Sequence, residues 1–104
     1  MIVITSSILP GKEIKKSFGV VRGNTVRARH LGKDIIAGFK TMVGGEIQEY
    51  TKLMAESREQ SIDRMIEEAK ALGANAIVDV RFSTSYIMSN VAEILVYGTA
   101  VYFE

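Results

Sequence analysis

The chain has 104 residues, 47% of them hydrophobic and 24% charged, with one proline and no cysteine; this is ordinary globular usage at single-domain size, and it excludes extended disorder, a disulfide framework and every thiolate metal site. The net charge of +1 divides unevenly: residues 1–40 carry eight Lys/Arg against two acids, a net of +6, and residues 41–104 carry five against ten, a net of −5. Such asymmetry fits a basic patch for nucleic acid or another anion, complementary faces that meet between subunits, or plain solvated surface.

The N-terminus lacks the basic region of a signal peptide, and no apolar run reaches membrane-spanning length, so a cytoplasmic location is expected. Ile2 to Thr5 is β-branched and apolar, and Pro10-Gly11 after it is a turn signal; strand then turn is expected. Ile14 to Arg29 reads as a long extended stretch in which Phe18, Val20, Val26 and Ala28 share one parity, and Val21, Thr25, Arg27 and Arg29 the other. Gly23-Asn24 suits a hairpin turn, while Gly19 and Gly23 inside a β pattern equally suit bulges in a bent strand.

Between Lys33 and Val43 the residues Ile35, Ile36, Phe39, Met42 and Val43 recur at helical spacing, predicting a short amphipathic helix ended by Gly44-Gly45. Glu46 to Leu72 contains neither Pro nor Gly. Its apolar positions, from Ile47 and Tyr50 through Met54 to Ile62, Met65, Ile66, Ala69 and Leu72, step by three and four, apart from a polar gap at Ser57, Arg58 and Ser61. A long helix is expected, with Glu46 at its start, Lys70 in its last turn and Gly73 as the residue that ends it. Small residues in the gap suit close helix contact.

Ala76 to Ser85 alternates as a half-buried strand, and Asp79 and Arg81, on one parity, suggest an ion pair across strands or subunits. Val91 to Phe103 is apolar on both parities. A strand buried on both faces needs more cover than one helix supplies, and a second subunit would provide it. The order β, β, short α, long α, β, β implies one α+β domain over residues 1–104, with an antiparallel-rich sheet, both helices on one face and the other face toward solvent or a partner.

The string Gly19-Val20-Val21-Arg22-Gly23-Asn24-Thr25-Val26, then Lys33 to Lys40 (Lys-Asp-Ile-Ile-Ala-Gly-Phe-Lys), Val43-Gly44-Gly45, Glu68 to Val78 (Glu-Ala-Lys-Ala-Leu-Gly-Ala-Asn-Ala-Ile-Val) and Tyr97-Gly98-Thr99-Ala100-Val101 together resemble the YbjQ-like family over almost the whole chain. The resemblance implies a dodecin-like α+β subunit assembled as a pentameric ring that can pair into a decamer. It brings the label "putative heavy-metal-binding" but no catalytic residues, and this sequence has one histidine and no cysteine.

His30 with Asp34 four residues on could reach one ion, but one imidazole and one carboxylate do not complete a site, and Arg29 and Lys33 would repel a cation. Arg22, Arg27, Arg29 and Lys33 are the candidate anion-binding residues, at one end of a strand and the start of a helix. Nucleic acid is disfavoured by the near-neutral total and the lack of a stacking motif or recognition helix. Gly44-Gly45 lacks the spacing of a phosphate loop, and no nucleophile with a paired base is recognisable. The expected function is a non-enzymatic homo-oligomeric binding or scaffold protein with a ligand site between subunits. Its partners would be copies of itself and a small anionic ligand, without a membrane or a required cofactor. The alternatives are metal binding or sequestration, and an enzyme acting on an anionic metabolite.

Overall fold

The computed structural model of the protein describes residues 1–28, 45–89 and 91–104. The short helix expected over residues 33–43 lies outside them. The described elements are β1 (Ile2–Val3), β2 (Ile14–Ala28), α1 (Gly45–Leu72), β3 (Ala76–Met88) and β4 (Val91–Phe103). They form a four-stranded mixed sheet in the order β1-β3-β4-β2, in which β4 pairs antiparallel with both β2 and β3 and β1 pairs parallel with β3. Among the described residues one helix packs on this sheet, so the class is α+β.

Between the two readings of β2, the bulged strand is the one observed. Pairing with β4 runs from Ile14–Phe103 to Ala28–Val91 with no turn at Gly23-Asn24, and the register slips between Ile14 and Lys16 and between Ser17 and Gly19. The second slip changes which parity faces the helix, because an extra residue in one strand rotates everything after it. Phe18 before it and Val21 after it therefore both pack into the core under the helix.

The 28-residue α1 spans about 42 Å at 1.5 Å per residue. It ends where its backbone runs out of helical partners: Gly73, at φ +93°, donates to Lys70 O at 3.0 Å, and Ala74 donates to Ala69 O at 3.1 Å. These are the paired bonds of a Schellman stop, whose left-handed residue is best filled by glycine. The sequence signal at Gly73 is therefore realised in full.

Toward the sheet, α1 buries Met65 and Ala69 against Val21, Ile77, Val96 and Ala100. The gap in its apolar face is also buried. Ser57 and Ser61 have no exposed surface, and they lie over Gly23 and Thr25 of β2. A second, smaller core sits on the opposite face of the sheet, where Leu9 of the N-terminal loop covers Ala76, Val78 and Val101. Part of the cover that β4 requires on its second face thus comes from the chain's own N-terminal segment.

Among the described residues of the single chain, neither Asp79 nor Arg81 makes the cross-strand ion pair, one of the two expectations; the pair across subunits stays an expectation. Asp79 sits at φ +55° where the β3–β4 register slips between Val78 and Arg81. The slip separates the two side chains. Asp79 accepts from Ser7 Oγ at 2.7 Å, while Arg81 Nη1 lies within hydrogen-bond distance of the carbonyls of Thr5 and Val80.

Candidate functional site

Cross-strand register decides which candidate residues can act together. Arg22 and Arg27 are five residues apart on a regular stretch of β2, so their side chains leave opposite faces of the sheet. Arg27 lies on the helix side, where its Nε donates to Ser57 Oγ at 2.8 Å and its Nη2 to Gln60 Oε1. Ser57 in turn donates to the Leu53 carbonyl at 2.8 Å, and Thr25 Oγ1 donates to Ser57 O at 3.1 Å. Arg27 is thereby anchored to the helix. Beside it opens a shallow depression of about 440 Å³ whose lining includes Arg58 but also Glu56, Glu59 and Asp63. Three carboxylates against two guanidiniums make a poor seat for an anion.

Arg22 lies on the face without the helix. Tyr97 is its partner on β4, and Tyr97 is also the partner of Arg81 on β3. Three strands therefore present Arg22, Tyr97 and Arg81 as one transverse row, with neighbouring strands about 4.8 Å apart. Flanking rows add Val20 and Thr99 on one side, and Asn24, Leu95 and Ser83 on the other. Beyond the patch covered by Leu9, no described residue closes over this face: Val20 is 62% exposed, Val26 49% and Tyr97 40%. Arg81 was not among the residues singled out for anion binding, because its place beside Tyr97 follows from the slip at Asp79 and from a pairing with a strand sixteen residues on.

Arg29, Lys33, His30 and Asp34 lie outside the described residues. Among the described residues no group of three or more His, Cys, Asp or Glu is placed to hold a metal ion. A second groove of about 520 Å³ lies on the helix side between the N-terminal segment (Val3 to Ser6), Ile62, Val80 and Phe82, and its lining is mainly apolar. No helix among the described residues is long and apolar enough to cross a membrane.

A family model described as "Putative heavy-metal-binding" matches residues 1–104. Proteins named "UPF0145 protein" are similar over nearly the full length: that of Thermosipho melanesiensis is 60% identical over 101 residues, covering 97% of this chain and 94% of the relative. That of Methanosarcina acetivorans is 54% identical, covering 97% and 95%; that of Thermus thermophilus is 51% identical, covering 100% and 91%. None of these names denotes an enzymatic activity. Among solved structures, a protein of unknown function from Pediococcus pentosaceus, assigned to the DUF74 family, superposes with a TM-score of 0.71. It covers 100% of this chain and 98% of its own at 16% identity, which shows a shared fold.

Proposed function

The chain belongs to the YbjQ-like, UPF0145 family, whose function is unknown, and we propose that it works as a subunit of a homo-oligomeric, non-enzymatic binding or scaffold protein of the cytoplasm. The observation that carries this reading is the sheet face opposite the helix. Val20, Val26, Leu95 and Tyr97 form, with Arg22, Asn24 and Glu93 among them, a surface that the single chain leaves at least partly uncovered, and exposed apolar side chains bordered by polar ones mark an interaction site more often than solvent-facing wall. A pentameric ring of dodecin-like subunits, able to pair into a decamer, is the form the family resemblance favours.

The row Arg22–Tyr97–Arg81 lies in that same surface, so a second subunit laid on it would enclose two guanidiniums and a phenol. Guanidinium forks match carboxylate and phosphate oxygens, and a small anion held between subunits is the ligand class that fits. Arg29 and Lys33 remain candidates to add to it. Arg27, tied through Nε and Nη2 to Ser57 and Gln60 on the other face, serves the fold; Arg81 also commits Nη1, to the carbonyls of Thr5 and Val80, so an anion would be met by its other nitrogens.

Sedimentation and light scattering test the assembly, and titration of the assembled protein with inorganic phosphate tests the anion. A monomer at micromolar concentration contradicts the reading. The metal alternative rests on the family's label; elemental analysis of protein purified without chelators, with and without His30→Ala, decides it.

A further inference from the structure

The two long edges of the sheet are protected very differently. The outer edge of β2 carries Lys15, Lys16, Arg22 and Arg27 and no acid, and α1 lies against it. There the Arg22 backbone N–H donates to Glu68 Oε2 at 3.3 Å and Arg64 Nη1 donates to the Asn24 carbonyl, so helix side chains already occupy outward backbone groups. Charge and coverage are the usual devices that stop an edge from pairing with another chain.

Past Arg81 the outer edge of β3 has neither among the described residues, its one irregularity being the register slip between Tyr86 and Met88. β1 pairs with it only at Ala76 and Ile77, and the loop that follows reaches Asp79 and Val80 through the carbonyls of Ser6 and Ile4. From Arg81 to Met88 no strand among the described residues pairs with that edge. All of these residues are exposed, with Tyr86 at 68%, Ile87 at 56% and Met88 at 61%. Phe82 to Met88 contains no charge, glycine or proline.

The sequence of this strip also selects its occupant. Phe82-Ser83-Thr84-Ser85-Tyr86 is nearly palindromic about Thr84. Run antiparallel against itself, it sets Thr84 opposite Thr84, Ser83 opposite Ser85, and Phe82 opposite Tyr86, which is an aromatic cross-strand pair on each side of the axis. Phe82, Thr84 and Tyr86 share the helix side of the sheet, opposite Val96, Ile94 and Ala92 of β4. A two-fold axis through Thr84 therefore keeps both helices on one side of a continuous sheet. A neutral strip meets a neutral strip, and no charge is left facing an apolar side chain except Arg81, at the rim opposite Ile87.

We propose that the β3 edge from Arg81 to Ile87, centred on Phe82 to Tyr86 ahead of the register slip before Met88, docks the same edge of a second copy, antiparallel about a two-fold axis at Thr84. This deepens the self-association reading and rests on it, since it names one contact within the assembly. A two-fold contact of this kind is isologous, so it joins subunits or rings in pairs and cannot by itself close a ring of five.

Because the chain has no cysteine, single-cysteine variants of the full chain test the geometry directly. A residue on the axis faces its own copy at a Cα separation of about 4.5–5.5 Å, within the range a disulfide spans. Under mild oxidation at micromolar concentration, Thr84→Cys is expected to form a covalent dimer about a hundredfold faster than Lys70→Cys on the exposed end of α1, since pairing raises the local thiol concentration. Ser83→Cys and Ser85→Cys are expected to link faster when mixed than either does alone. Equal rates for Thr84→Cys and Lys70→Cys, or no gain on mixing, would overturn the proposal. If the unmodified chain assembles but Thr84→Cys fails to link, this contact alone is wrong. If the unmodified chain sediments as a monomer and nothing links, the self-association reading falls with it.

Discussion

Gly23 of β2 lies directly beneath Ser61 of α1: a β carbon at residue 23 would fall inside the van der Waals envelope of the Ser61 carbonyl oxygen and 2.6 Å from Met65 N. The backbone of the helix, not a yielding side chain, is the obstacle. Gly23→Ala is therefore expected to lift the helix and destabilise the protein by at least about 2–3 kcal/mol, in the upper range of overpacking costs. Chemical denaturation of the variant and of the unmodified chain measures the difference; a change below about 0.5 kcal/mol, the level of an ordinary surface substitution, contradicts the close approach.

This contact marks where the sequence could and could not be read. The long helix was legible because Gly73, Lys70 and the three-and-four spacing of Ile62, Met65, Ile66 and Ala69 are local signals, and the Schellman bonds at Gly73 and Ala74 are their direct outcome. Ser57 and Ser61 suggested close helix contact, but that they would be wholly buried depends on Gly23 and Thr25, more than thirty residues earlier. The row Arg22–Tyr97–Arg81 was not legible at all. It depends on register slips at Gly19 and Asp79, and a slip of one residue moves a side chain to the other face. The division of Arg22 from Arg27 was hidden in the opposite sense, since basic residues close in sequence look like one patch until alternation separates them.

The hydroxyls beneath the helix are expected to act as a unit. Ser61 Oγ lies 3.0 Å from Thr25 Oγ1 and 3.2 Å from the Ile94 carbonyl, and all three residues are buried. Thr25→Val removes one of two hydroxyl donors to Ser57 O, the other being Ser61 Oγ at 3.0 Å, and a partner of Ser61, and is expected to cost about 1–3 kcal/mol. The double variant Thr25→Val with Ser61→Ala is expected to cost less than the sum of the single changes. Strict additivity in denaturation midpoints would show that the hydroxyls are independent.

Arg22 and Arg81 are predicted to share a ligand that Arg27 does not touch. Arg22→Ala and Arg81→Ala are each expected to weaken inorganic phosphate binding about tenfold or more, the scale of one charge-assisted hydrogen bond. Arg27→Ala is expected to leave phosphate affinity unchanged and lower stability through the lost bonds to Ser57 and Gln60. Calorimetric titration separates the two effects. Loss of binding in Arg27→Ala alone would place the site on the helix side.

On the open face, charge should separate assembly from folding. Val20 and Tyr97 are already exposed in the single chain, so Val20→Asp and Tyr97→Asp are expected to change stability by no more than about 0.5–1 kcal/mol as isolated chains. Buried against a second subunit, the same carboxylates would be strongly unfavourable. Folded monomers by circular dichroism and light scattering are the expected result. Retained assembly with both carboxylates present would mean that another surface holds the subunits together.

The most direct measurement is sedimentation velocity of the unmodified full chain at micromolar concentration and physiological ionic strength. A single species of several chains is predicted, with five the number for a ring and ten for a pair of rings. A species with the mass of one chain, unchanged as concentration is raised, would contradict the claim that this protein works as a subunit of a homo-oligomer.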